Sequence, residues 1–249
     1  MGKKYSDCHR VSENILLFKE DFGEFAVEVV SDLLAYVDIW LTDALGVPHF
    51  SSKQVVIIHG DDEPMCSNYK GAHLVRLVTH NNYWCQWVFQ FAHEYCHHLI
   101  DGGLTGDVDG LVWFEETICE LSSMYCLGKM MSFCWHHTNQ NLKHYHPSVR
   151  DYLDDRLRGG LAQGPLHLYI RRNLPLLEQP EYHREIYRSV AMQMLPLFVE
   201  CPDLWKIILH FGNMSEWNSL TLLFDHLKEE ADTTYADALQ RLRVLLLGS

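Results

Sequence analysis

Long apolar runs are missing from this chain. No stretch approaches the roughly 18 apolar residues of a membrane-spanning helix, so no span is expected. A basic surplus is missing too. Lys and Arg number 20 against 33 Asp and Glu, a formal charge of −13. That is the wrong sign for a surface that grips a phosphate backbone, and nucleic acid is excluded as a partner. None of the eight cysteines stands in a CxxC pair, which excludes a Cys-type zinc finger. The opening MGKKYSDCHR lacks the apolar core of a secretory signal. Reduced thiols in a cytoplasmic protein are therefore the expectation. No internal repeat and no low-complexity tract interrupts the chain.

What is present reads as α+β. Residues 13–20 and 53–60 are compact apolar or β-branched runs and predict strands. Residues 73–80 alternate, and predict a strand at a sheet edge. Between the first two, Phe22, Phe25, Val29, Leu33, Val37, Trp40 and Ala44 recur at three- and four-residue steps. That spacing predicts a helix over 21–45, stopped by Gly46 and Pro48. The stretch DDEPMCSNYKG reads as a loop. A strongly periodic helix is predicted over 83–100. A glycine-rich loop follows, with Gly102 as helix stop, and then a second helix capped by Asp109. After residue 134 a polar, His-rich irregular stretch leads into helices over 148–158, 181–195, 202–211, 215–230 and 232–247. The predicted division is a catalytic part over 1–134 and a helical part over 135–249 that closes a cleft.

The chemistry concentrates in QFAHEYCHHLI, residues 90–100. His93 and His97 stand four apart, so on a helix they share a face and can reach one ion. Neutral imidazole suits zinc. Glu94 is turned roughly 100° from His93, beside the ion rather than on it, where a general base belongs. A catalytic zinc site needs a third protein ligand and an open position. The segment WFEETICE, residues 113–120, offers Glu116, with Glu120 one turn later to accept the free ring N–H of a ligand histidine. Glu115 is an alternative third ligand, and a solvated polar face carrying histidines is an alternative to any metal. Cys96 and Cys119 read as core.

HExxH, eighteen intervening residues, Glu116 and then an acidic residue four further on resemble the gluzincins, the thermolysin-like and aminopeptidase-like zinc metallopeptidases. The segment Trp113-Phe114-Glu115-Glu116 is similar to the W-x-N-E of the aminopeptidase branch, with Glu115 where Asn is usual. The tight match covers about residues 83–126, and no G-x-M-E-N precedes His93. The resemblance implies a zincin-like catalytic domain, a small mixed sheet with an active-site helix and a Glu helix. It implies one catalytic Zn2+ on His93, His97 and Glu116, with Glu94 as base and proton shuttle and Glu120 behind a ligand. It also implies a Tyr or His that stabilises the tetrahedral intermediate. Tyr145, His144 and His146 are the candidates, since they follow the Glu helix. The expected activity is hydrolysis of a peptide or protein substrate paired to the strand over 73–80. A non-hydrolytic zinc-binding interaction domain and a processing protease with a single target are the competing readings.

Overall fold

The computed structural model describes residues 8–46, 53–100, 111–158, 164–179, 182–213, 219–230 and 234–248. Among them, five strands form one mixed sheet in the order β1-β2-β3-β5-β4. These are β1 (Cys8–Arg10), β2 (Ile15–Phe18), β3 (Val55–His59), β4 (Met65–Tyr69) and β5 (Ala72–Leu77). β2, β3 and β5 run parallel, while β1 and β4 flank them antiparallel. The helices are α1 (Val27–Leu45), α2 (Trp84–Ile100), α3 (Val112–His136), α4 (Gln140–Arg158), α5 (Leu166–Leu177) and α6 (Arg184–Glu200). A 3-10 helix over Pro202–Asn213, α7 (Leu220–Glu230) and α8 (Ala236–Leu247) complete them. The expected helix stops at Pro48 and Gly102 and the cap at Asp109 lie outside the described residues. No described helix is long and apolar enough to cross a membrane.

Parallel neighbours need a crossover, and α1 supplies it between β2 and β3. It starts six residues later than its periodicity suggests. Asn81 and Asn82 explain the delay, because their side-chain oxygens accept the backbone N–H groups of Glu24 and Ala26. Phe22 and Phe25 still dock on Trp87, from this turn rather than from the helix. Gly46, in the left-handed region at φ 68°, ends α1 as expected.

The edge of the sheet corrects the sequence reading. β5 is interior, and the edge strand is β4, inside the stretch that reads as loop. Lys70 (φ 51°) and Gly71 (φ 82°) form a two-residue hairpin turn that pairs Tyr69 with Ala72. β4 is hidden in the sequence because it has no β-branched residue and only one pairing side. The His-rich stretch after residue 134 is also a correction. It is mostly helical, and α4 starts at Gln140 and runs through Pro147. Buried Leu142 and Val149 on either side of that proline hold the helix to the body of the protein. One hydrophobic core runs from Ile15 to Leu246 across the expected boundary at 134/135, which falls inside α3.

α2 and α3 form an antiparallel pair at the centre. Ser123 donates to the Phe89 carbonyl and Ser122 to the Ala92 carbonyl, while His97 meets Glu115 at the other end. Small serines at the contact let the helix backbones approach closely. Gln90 ties α2 to the sheet by bonding both the N–H and the carbonyl of Val78.

Candidate metal centre

A cleft of about 600 Å³ opens over this helix pair. Its lining includes β4 residues Met65 to Asn68 on one wall and Tyr182 and Arg184 on the other. Between the walls lie His93, Glu94, His97, Glu115 and Glu116. The α-helical repeat brings the His93 and His97 rings to 5.2 Å between centroids. Glu116 bridges them from α3, with Oε2 3.3 Å from His93 Nε2 and Oε1 3.5 Å from His97 Nε2.

These separations are a test of fit for a cation. Ligand atoms about 2.0–2.1 Å from a tetrahedral zinc lie about 3.3–3.4 Å from one another. Each imidazole Nε2 stands near that spacing from one Glu116 oxygen, and all belong to donor types that zinc takes. In their metal-free form they hold each other by charge. Burial would raise the Glu116 carboxyl, but the hydrogen bonds and charges of His93 and His97 outweigh it and hold the group well below the ordinary carboxylate range. Burial likewise disfavours a charged His97, and Glu115 and Glu116 reverse that.

Glu94 is different in kind. It is almost wholly buried, and burial raises its pKa against the lowering pull of His93 and His97. A backbone hydrogen bond from Cys66 fixes it against the edge strand. The Cys66 thiol itself is pushed up to about 12 by burial, so it is a poor nucleophile despite facing the cleft.

Glu120 is not where the sequence puts it. Fully buried, it receives Arg184 Nε at 2.6 Å and stands 3.7 Å from Arg188 Nε, both on α6. No ion pair joins it to His93 or His97 among the described residues. The carboxylate behind a histidine is Glu115, whose Oε1 lies 2.8 Å from His97 Nδ1. The reason is helical phase: α6 packs along α3 over Glu120, while Glu115 faces α2. Glu115 thus takes the supporting place rather than that of the third donor. His93 Nδ1 is buried without a hydrogen-bond partner.

Tyr145, His144 and His146 are not brought to the cleft. The Tyr145 hydroxyl accepts the Cys85 N–H at 3.4 Å. Cys85 lies about 12 Å along α2 from His93. His146 packs on Trp135 at 5.0 Å between ring centroids, and His144 is exposed. The tyrosine at the cleft is Tyr182. It is half exposed at the mouth, and its pKa is raised by burial and then by the charges of Glu116 and Glu120. Nothing in EYHREI announces it, because only long-range packing of α6 places it there.

A second donor set competes with the first. His93, His97 and Cys119 each offer an atom within 4.8 Å of the others, so this cluster could hold a metal. Cys119 is fully buried, does not line the cleft, and has its thiol pushed well above its usual range by burial. Glu116 stands 3.3 and 3.5 Å from the two Nε2 atoms and lines the cleft. The geometry therefore favours Glu116 where a reacting molecule must share the ion. No family model matches this chain, and neither curated proteins nor solved structures yield a match.

Proposed function

We propose that the chain is a zinc-dependent peptidase of gluzincin type, with a zincin-like arrangement of sheet, active-site helix and Glu helix. The observation that carries this reading is Glu116 meeting both His93 and His97 within 3.5 Å, with Glu94 and edge-strand residues lining the same cleft. His93, His97 and Glu116 would hold the ion, and Glu115 would orient His97 through Nδ1. A zinc ion held there supplies Lewis acidity, lowering the pKa of water to about 7 and polarising a carbonyl.

The chain's own residues then divide the work. Glu94 removes a proton from the attacking water and returns it to the nitrogen of the leaving amine. Burial suits it to this shuttle, since a desolvated carboxylate holds a proton more readily. Tyr182, which lines the cleft, would donate its hydroxyl to the oxygen where charge develops. β4, an edge strand among the described residues, would pair an extended peptide through its outer backbone groups, the role first assigned to residues 73–80.

Glu94→Gln tests the reading. The variant should retain one zinc per chain by elemental analysis. Its hydrolysis of a mixed peptide library should fall by roughly 100- to 10,000-fold. Equal turnover by variant and parent would refute the assignment of the base. Proximity of Cys119 favours a second reading, a closed structural zinc site with no turnover. Zinc lost in Cys119→Ser but kept in Glu116→Gln would select it, and the reverse pattern selects the peptidase.

A further inference from the structure

Glu120 sits behind a small island of positive charge in an acidic protein. Arg184 Nε bonds Glu120 sideways, and its two terminal amino groups make no hydrogen bond among the described residues. Its side chain is 43% exposed and lines the cleft. Phe89 lies beneath it, with the guanidinium carbon 5.9 Å from the ring centroid. Arg156 sits over the same ring at 5.5 Å and over Tyr152 at 4.7 Å. It forms no ion pair among the described residues, and its buried Nε has no hydrogen-bond partner. Arg188 adds a third guanidinium beside Glu120 and Glu185. Three cations thus cluster around two carboxylates in a chain of charge −13, and Arg184 is the one of the three that lines the cleft.

We propose that Arg184, seconded by Arg156, selects peptides that carry a carboxylate at the α6 wall of the cleft. The inference rests on the peptidase reading for the identity of the ligand as a peptide. Arg184 suits the task because its Nε is already anchored. The planar fork is held in place by Glu120, and the terminal N–H groups left over are the pair that a carboxylate takes end-on. Phe89 stiffens the guanidinium from below by a cation–π contact. Glu120 is a positioning residue here, acting through Arg184 rather than on the substrate. The carboxylate can be an Asp or Glu side chain or a free C-terminus, and both present the same two oxygens.

Matched peptide pairs test this by binding and by turnover. One arm compares Glu with Gln at each position; the other compares a free C-terminus with its amide. Affinity is read by fluorescence anisotropy on the zinc-loaded Glu94→Gln protein, and kcat/KM on the parent. The carboxylate member of at least one pair should bind roughly tenfold tighter or more, weakening with salt. In Arg184→Gln that ratio should fall to about one. Arg184→Lys should keep part of it, and Arg156→Gln should reduce it by a smaller factor. A ratio near one in the parent, a ratio that survives Arg184→Gln, or no binding of any pair would overturn the proposal. Turnover without carboxylate preference sinks this inference alone. Carboxylate-dependent binding with no turnover in the parent sinks the peptidase reading alone.

Discussion

The two ends of the α2–α3 pair bury polar groups by opposite means. At the end near Phe89 and Ala92 the polar contacts are neutral, with the hydroxyls of Ser122 and Ser123 donating to carbonyls across the helix interface. At the cleft end the same two helices bury or half-bury two imidazoles and four carboxylates, counting Glu94, Glu115, Glu116 and Glu120. A neutral buried hydrogen bond contributes roughly 1 kcal/mol. Buried charges cost several kcal/mol each unless every one is paired, and apolar side chains of similar volume would often serve stability as well or better. The serine end is what the packing of two helices requires. The charged end exceeds that requirement, and such excess concentrates at functional sites.

His97→Ala is the harshest way to break this comparison. It removes a donor and leaves Glu115 and Glu116 without their shared partner. Zinc content should fall from one per chain to near zero by elemental analysis. The metal-free variant should also unfold about 3–5 kcal/mol more easily in urea than the metal-free parent. A variant that keeps stoichiometric zinc would mean that His97 is no ligand.

Glu115→Gln sharpens the comparison at a lower level. The amide can still meet His97 Nδ1 through its oxygen, but without the charge that makes the opposite nitrogen a stronger donor. Zinc affinity, read by competition with a chelator, should drop roughly 10- to 100-fold. An unchanged affinity would show that the 2.8 Å contact to His97 serves only the metal-free protein.

These contrasts also mark what the sequence could carry. α2 was legible because its evidence is local: one period and one motif within seventeen residues. The mixed sheet was legible in its apolar strands and illegible at β4, whose residues have low strand propensity and whose pairing depends on β5. The approach of Glu116 to His93 and His97 was readable from spacing. The partner of Glu120 was not, since Arg184 stands 64 residues away and reaches it only through the packing of α6 on α3. Tyr182 escaped for the same reason, and Tyr145 was favoured only because it follows the Glu helix closely in sequence. Local periodicity fixes which face of a helix is buried, but not which later element covers it.

The serine end supplies the control. Ser122→Ala removes a hydroxyl that donates to the Ala92 carbonyl at 2.7 Å and to the Cys119 carbonyl at 2.8 Å. Both carbonyls also accept within their own helices, so neither is left bare, and alanine raises the helix propensity of the site. The loss should be about 1 kcal/mol or less by urea unfolding, with zinc content and turnover as in the parent. Ser122 lies two positions from Glu120 and six from Glu116, about 9 Å along the helix, on the face that meets α2 rather than the cleft. If so small a change at that distance lowered zinc affinity, the two ends of the pair would be one coupled unit, and the division between a packing end and a chemical end would be false.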